Sequence, residues 1–197
     1  VKNLWTSESL EDWKDALASY EEVVARQRVA PLADLDRWYR DALPDAIAAR
    51  TPPHATHAEL VKAAEWKMAR GVWRARNLVL VRGNDPALVA KTSGDALAKI
   101  PHPTAPISTL AELAGVGPAT ASAIISAASP EIYPFFDELV AAQVPGLGPV
   151  AWTMAYYRRY ADALRERAAA LGQRWTPAKV ERALWAHVGG KAGARAK

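Results

Sequence analysis

The chain has 197 residues, half of them apolar, which is ample for a core in one or two small domains, yet no unbroken apolar run reaches membrane length. Cysteine is absent, which excludes disulfides, cysteine-bound zinc and cysteine-bound iron–sulfur clusters. The net charge of +4 is uneven: residues 1–60 carry 7 Lys/Arg against 11 Asp/Glu, leaving 18 against 10 for residues 61–197, so only the second part suits a polyanion.

Strand signals are poor throughout, alanine is abundant and apolar residues recur at helical spacing, so the fold class is all-α. The polar, charged start carries no secretory leader pattern, and a soluble intracellular chain (cytoplasmic, or nucleoid or nuclear) is expected. Thr6 or Ser7 is a candidate cap for a first helix, with Glu8, Glu11 and Asp12 in its first turns and Trp13, Leu17, Tyr20 and Val24 on one stripe. A second helical region starts near Pro31, with a kink expected at Pro44. Thr51-Pro52-Pro53 is a stop, and residues 1–53 read as an N-terminal helical segment.

Thr56 and Glu59 fit a capping box, opening a long helix expected to run to about Arg82. Residues 62–82 hold six Lys/Arg and one Glu. At helical spacing Lys67, Arg70 and Arg74 share one face, with Trp66 and Trp73 on the neighbouring stripe. Cations meet phosphates and rings stack on bases, so this face is a candidate DNA contact; core packing is the competing role of the tryptophans. Asp85-Pro86 starts another helix, which Ser93-Gly94-Asp95 is expected to interrupt. The prolines at 101, 103 and 106 form a connector, and Ser108 or Thr109 is expected to cap the next short helix.

Residues 110–137 carry the functional signal. A helix ending in Leu113-Ala114 meets Gly115-Val116-Gly117, and Pro118-Ala119-Thr120-Ala121 opens a small-residue helix. Two glycines suit a tight turn with close backbone approach, and Pro118 fits the first helical position. Backbone N–H groups at such a start can bind an anion, a phosphate above all. Asp137 follows twenty residues after Gly117, behind Tyr133-Pro134-Phe135-Phe136, where it can also serve as a helix N-cap. A helix is expected from Asp137 through Val144, then a long one over about residues 150–171, and a last one opened by Thr176-Pro177. Pro145-Gly146-Leu147-Gly148-Pro149 echoes the first turn 31 residues on. The echo reads either as a second hairpin or as a plain Gly/Pro loop. Residues 189–197 read as a disordered basic tail.

The 110–137 stretch resembles the helix-hairpin-helix DNA glycosylase superfamily, with an endonuclease III-like fold. The resemblance implies an all-α protein of two helical lobes around a cleft, with residues 54–188 as the DNA-binding core. It implies double-stranded DNA as partner, held by sequence-independent backbone contacts from Gly115, Val116, Gly117 and Ala119, aided by Lys67, Arg70 and Arg74. A monovalent cation at the hairpin, no cofactor or resident metal, no membrane and a monomeric state complete the expectation. Asp137 matches the family's catalytic carboxylate. The chain departs from the family in two ways: it has no cysteines for an iron–sulfur cluster, and Ala119 stands where strand-cutting members carry a nucleophilic lysine. A monofunctional glycosylase is therefore expected, with a non-catalytic, possibly tandem, hairpin module of a repair or recombination complex as the alternative. Trp66, Tyr133 and Phe135 are candidates for a base pocket, with Glu65, Tyr156 and Tyr157 behind them; each also suits a core. His54 and His57 lack a third ligand nearby, and no nucleophilic triad follows from spacing.

Overall fold

A computed structural model describes residues 3–195. All regular structure among them is helical, and no helix there is long and apolar enough to cross a membrane. Helix α1 (Leu10–Ala18) is capped by Ser9, not by Thr6 or Ser7. Ser7 is instead buried, and its carbonyl accepts the indole N–H of Trp13. Helix α2 (Tyr20–Arg26) follows at once. Helix α3 (Leu32–Arg37) passes through a π-turn at Trp38–Ala42 into α4 (Leu43–Ala48). Pro44 lies within α4, so the distortion precedes it. Proline lacks an N–H and its ring crowds the carbonyl four residues back, and the widened turn, with Leu43 N–H on the Trp38 carbonyl, accommodates this.

The expected capping box is formed: Thr56 accepts from Glu59 N–H and Glu59 accepts from Thr56 N–H. Helix α5 (His57–Arg70) ends at Gly71, however, and α6 (Ala75–Arg82) is a separate helix after a short non-helical link. The single long helix expected through Arg82 is therefore broken, and Arg74 sits at the start of α6, off the face that Lys67 occupies. Helix α7 (Pro86–Leu97) runs through Ser93-Gly94-Asp95 without interruption. The buried Ser93 hydroxyl accepts from Ala55 N–H and donates to its carbonyl, so these small residues let the 51–56 loop lie on the helix. Helix α8 (Ala105–Leu110) begins earlier than expected: His102 Nδ1, not Ser108 or Thr109, accepts the N–H groups of Thr104 and Ala105. Then come α9 (Pro118–Ala128), the four-residue α10 (Glu138–Ala141), α11 (Met154–Leu171), α12 (Pro177–His187) and α13 (Gly190–Arg195).

Residues 1–53 do not stand apart. Helix α1 lies on α12, and α2 packs on both α12 and α3. Helix α5 is the hub of the remainder, touching α3, α6, α7 and α9, while α8 packs on α7 and α9. One continuous apolar core joins both groups. The tail is ordered through Arg195: Gln27 holds Gly189 and Ala192, and Lys191 donates to the Gly71 carbonyl. A Cβ at Gly190 would lie 2.6 Å from the Trp185 ring, so glycine lets the tail turn against the core. Residues 196 and 197 of the expected disordered tail lie outside the described residues.

The two glycine turns share their entry geometry. In each, a helix ends, the chain makes the same succession of turns, and the first glycine has positive φ: 73° at Gly115 and 79° at Gly146. They part at the second glycine. Gly117 is extended and α9 starts at the next residue, whereas Gly148 has φ 72° and α11 starts only at Met154, capped by Thr153. The long helix expected from residue 150 is thus shorter, and the α10 helix ends before Val144.

Candidate nucleic-acid interface and carboxylate pocket

The first turn has an inner and an outer glycine. A Cβ at Gly115 would come within 2.7 Å of the Asn77 carbonyl and 2.9 Å of Val81 N, both on α6. Asn84, a residue that the sequence gave no reason to choose, ties the turn down: it accepts from Ala114 N–H and donates to the Ala114 and Val81 carbonyls. Val116 is buried and its N–H is bonded to the Leu113 carbonyl. Gly115 therefore lets the turn lie against α6, and the Val116 N–H is already bonded within the protein, contrary to the expectation that Val116 contacts the DNA backbone. Gly117 does face outward: a Cβ there would meet nothing within 4 Å. It gives α9 no side-chain cap, so the N–H groups of Ala119 and Thr120 have no partner within the helix. Gly115→Ala combines a positive φ with backbone overlap and should destabilise the fold by about 2–4 kcal/mol in urea unfolding, whereas Gly117→Ala should cost less than about 1 kcal/mol.

A groove runs beneath this turn, lined by Lys67, Arg74, Asn77, residues 117–120 and Trp152. It adjoins a second cavity, which shares Lys67, Arg74 and Trp152 and adds Asp137, Glu138, Phe136 and Lys191. Asp137 is 8% exposed and caps α10, its Oδ1 accepting from Leu139 N–H at 2.8 Å and Val140 N–H at 3.3 Å. Its Oδ2 lies 3.7 Å from Arg70 Nε. The N-cap role and a position on a cavity wall are thus both present.

Arg70 is not on the surface. It is 2% exposed, and its guanidinium forms a bidentate pair with the equally buried Glu181. It sits 4.4 Å from the Trp185 ring centroid and 5.3–5.4 Å from those of Phe135 and Trp66. The expectation that Arg70 contacts DNA fails, because on α5 it lies one turn beyond the core residue Trp66 and shares its inward face. Burial pushes the Glu181 carboxyl up to about 7 while Arg70 pulls against that shift. Lys67 and Arg74 do reach the groove. Burial, with Arg74 adding to it, holds the Lys67 ammonium below the ordinary lysine range, and burial does the same to Lys191.

Of the base-pocket candidates, Trp66 is fully buried, stacked on Tyr39 at 3.6 Å and donating to Asp36. Tyr133 is also buried, its hydroxyl on the His102 carbonyl, and lines neither cavity. Both are core. Phe135 alone lines the Asp137 cavity, and it also borders an inner cavity of about 120 Å³ with Tyr20, Tyr39, Trp66 and Glu181. Arg70 lines both spaces and divides them. Glu65 pairs with Arg82, while Tyr156 and Tyr157 are buried beside Phe136. His54 and His57 bond the carbonyls of Pro52 and Arg82.

Besides Asn84, three more site residues escaped the sequence reading. Trp152 is 44% exposed and lies against Phe136 at the junction of groove and cavity. It follows an irregular loop, where no periodicity marks it. Lys191 belongs to the tail read as disordered. Glu181 was legible in principle: at four residues before Trp185 it shares that core face of α12. No family model matches this chain, and neither curated proteins nor solved structures provide a match.

Proposed function

We propose that this chain is a helix-hairpin-helix DNA-binding protein that removes a damaged or modified base, with Asp137 as its catalytic carboxylate. The observation that carries this reading is the shared wall between groove and cavity. The N–H groups of Ala119 and Thr120 at the uncapped start of α9 suit a backbone phosphate, and the same Lys67, Arg74 and Trp152 that line that groove border the space around Asp137. A nucleotide gripped at the turn has its sugar directed toward that carboxylate. Loss of the base develops positive charge on the sugar, which a carboxylate in a shielded site stabilises. Trp152 is suited to stack where an extruded base leaves the duplex.

The alternative is a non-catalytic DNA-binding module. It is supported by the engagement of Asp137 Oδ1 in capping α10 and by the repeated turn at Gly146, which suits a second backbone contact. A panel of duplexes carrying modified bases, scored for alkali-revealed breaks, separates the two. Release of at least one base supports the enzyme; tight binding with no release across the panel selects the module. Either reading requires salt-dependent binding. Arg74→Ala should reduce the slope of log K against log salt by about 0.9, the effect of one lost phosphate contact. An unchanged slope removes Arg74 from the interface.

A further inference from the structure

The inner cavity of about 120 Å³ plays no part in the reading above, and it has an opening of its own. Arg70 and Phe135, the two residues it shares with the Asp137 cavity, close it on that side. Its rim is formed by Arg40, Pro44, Pro130, Ala178 and Arg182, each open to solvent in part or in full. None of these five lines the groove or the Asp137 cavity, so a molecule enters here without passing Arg70.

The walls and the charge define what fits. The walls are rings: Tyr39 and Trp66 lie stacked with 10° between their planes, and Tyr20 and Phe135 flank them. An apolar cavity of about 150 Å³ holds benzene, so this space suits a single six-membered ring. Three arginines line it. Arg40 is held by Asp36 and Glu21, and Arg70 by Glu181. Glu181 also lines the cavity, but its two oxygens are taken by the Arg70 guanidinium. Arg182 forms no ion pair among the described residues, and its buried Nε has no hydrogen-bond partner there. It stands beside the wall, its Cζ 5.9 Å from the Tyr20 ring centroid. A buried guanidinium N–H without an acceptor is costly, and a carboxylate is the acceptor whose shape and charge match the guanidinium fork. A neutral nucleobase fills the rings' space equally well but leaves that charge unmet. We propose that the inner cavity binds a small planar aromatic carboxylate, its ring among Tyr20, Tyr39, Trp66 and Phe135 and its carboxylate on Arg182 at the rim. The inference is independent of the DNA reading, since none of the rim residues belongs to the groove.

The test titrates the full chain with benzoate by calorimetry. Binding should saturate at one molecule per chain and raise the unfolding midpoint. Arg182→Gln keeps an N–H donor but loses the charge, and should weaken benzoate by about 10-fold or more. Benzyl alcohol, the same ring without a charge, should bind wild type about 10-fold or more weaker than benzoate and should not distinguish it from Arg182→Gln. Ala178→Phe fills the rim and should abolish benzoate binding with the unliganded unfolding midpoint unchanged. Absence of saturable benzoate binding overturns the inference. So does benzoate binding that is indifferent to both substitutions, which places it elsewhere on the chain. Adenine or uracil binding more tightly than benzoate makes the cavity a nucleobase site and overturns the carboxylate assignment. Duplex binding measured on Arg182→Gln should equal that of wild type, so the two readings fail separately.

Discussion

Arg70→Ala should destabilise the protein by about 3–5 kcal/mol in urea unfolding, the largest effect of any single change outside the apolar core. The substitution leaves the Glu181 carboxyl buried without its bidentate partner and removes a guanidinium packed among Trp185, Phe135, Trp66 and Tyr20. Arg70→Lys should recover little, because an ammonium can neither fork onto a carboxylate nor lie flat on rings. Replacing both partners, as Arg70→Met with Glu181→Met, should restore most of the loss, since an apolar pair of similar volume carries no uncompensated charge. A double variant as unstable as Arg70→Ala would mean that packing, not the stranded charge, dominates. Glu181 adds a pH signature. Its carboxyl sits at about 7 in the fold against 4.5 unfolded, so between those values the folded state binds more protons. The stability that Glu181 contributes is greatest at the acid end and falls as pH rises through about 7. The difference in unfolding free energy between wild type and Glu181→Gln should therefore shrink from pH 4.5 to 7; a difference that grows over this range would reverse the assignment.

Asp137→Asn should lower base release by about 100-fold or more while the fold changes by less than about 1 kcal/mol. Asparagine caps a helix as well as aspartate does, so the bonds to Leu139 and Val140 N–H can persist while the charge disappears. Duplex binding should be retained or slightly tightened, because a negative charge has left a cavity bordered by Lys67, Arg74 and Lys191. Asp137→Ala should show the same loss of activity and a further loss of about 1 kcal/mol from the missing cap. If base release survives in Asp137→Asn, the carboxylate is structural and its place on the cavity wall is incidental.

Local chemistry was legible wherever neighbours in sequence decide the outcome. The all-α class, the Thr56/Glu59 capping box, the Asp85 and Thr176 caps, the tight turn at Gly115 and the Asp137 cap all follow from side chains acting within a few residues of themselves. The break at Gly71 had a local signal, a glycine directly after the basic last turn of α5, which the basic run on either side of it outweighed in the sequence. The ordered tail was not legible: glycine, lysine and alanine read as disorder until Gln27, more than 160 residues away, supplies partners.

By itself, then, the sequence determined the helical class, several of the caps and a Gly-x-Gly turn before a small-residue helix. Tertiary structure decided which cations face outward. Lys67 and Arg70 are three residues apart on α5, yet one borders the groove and the other is locked to Glu181, 111 residues distant. Helical spacing puts the two on one side of α5 but does not say which of them meets a carboxylate from another helix. That choice rests on the large cost of burying an unpaired charge, which only the packed partner offsets.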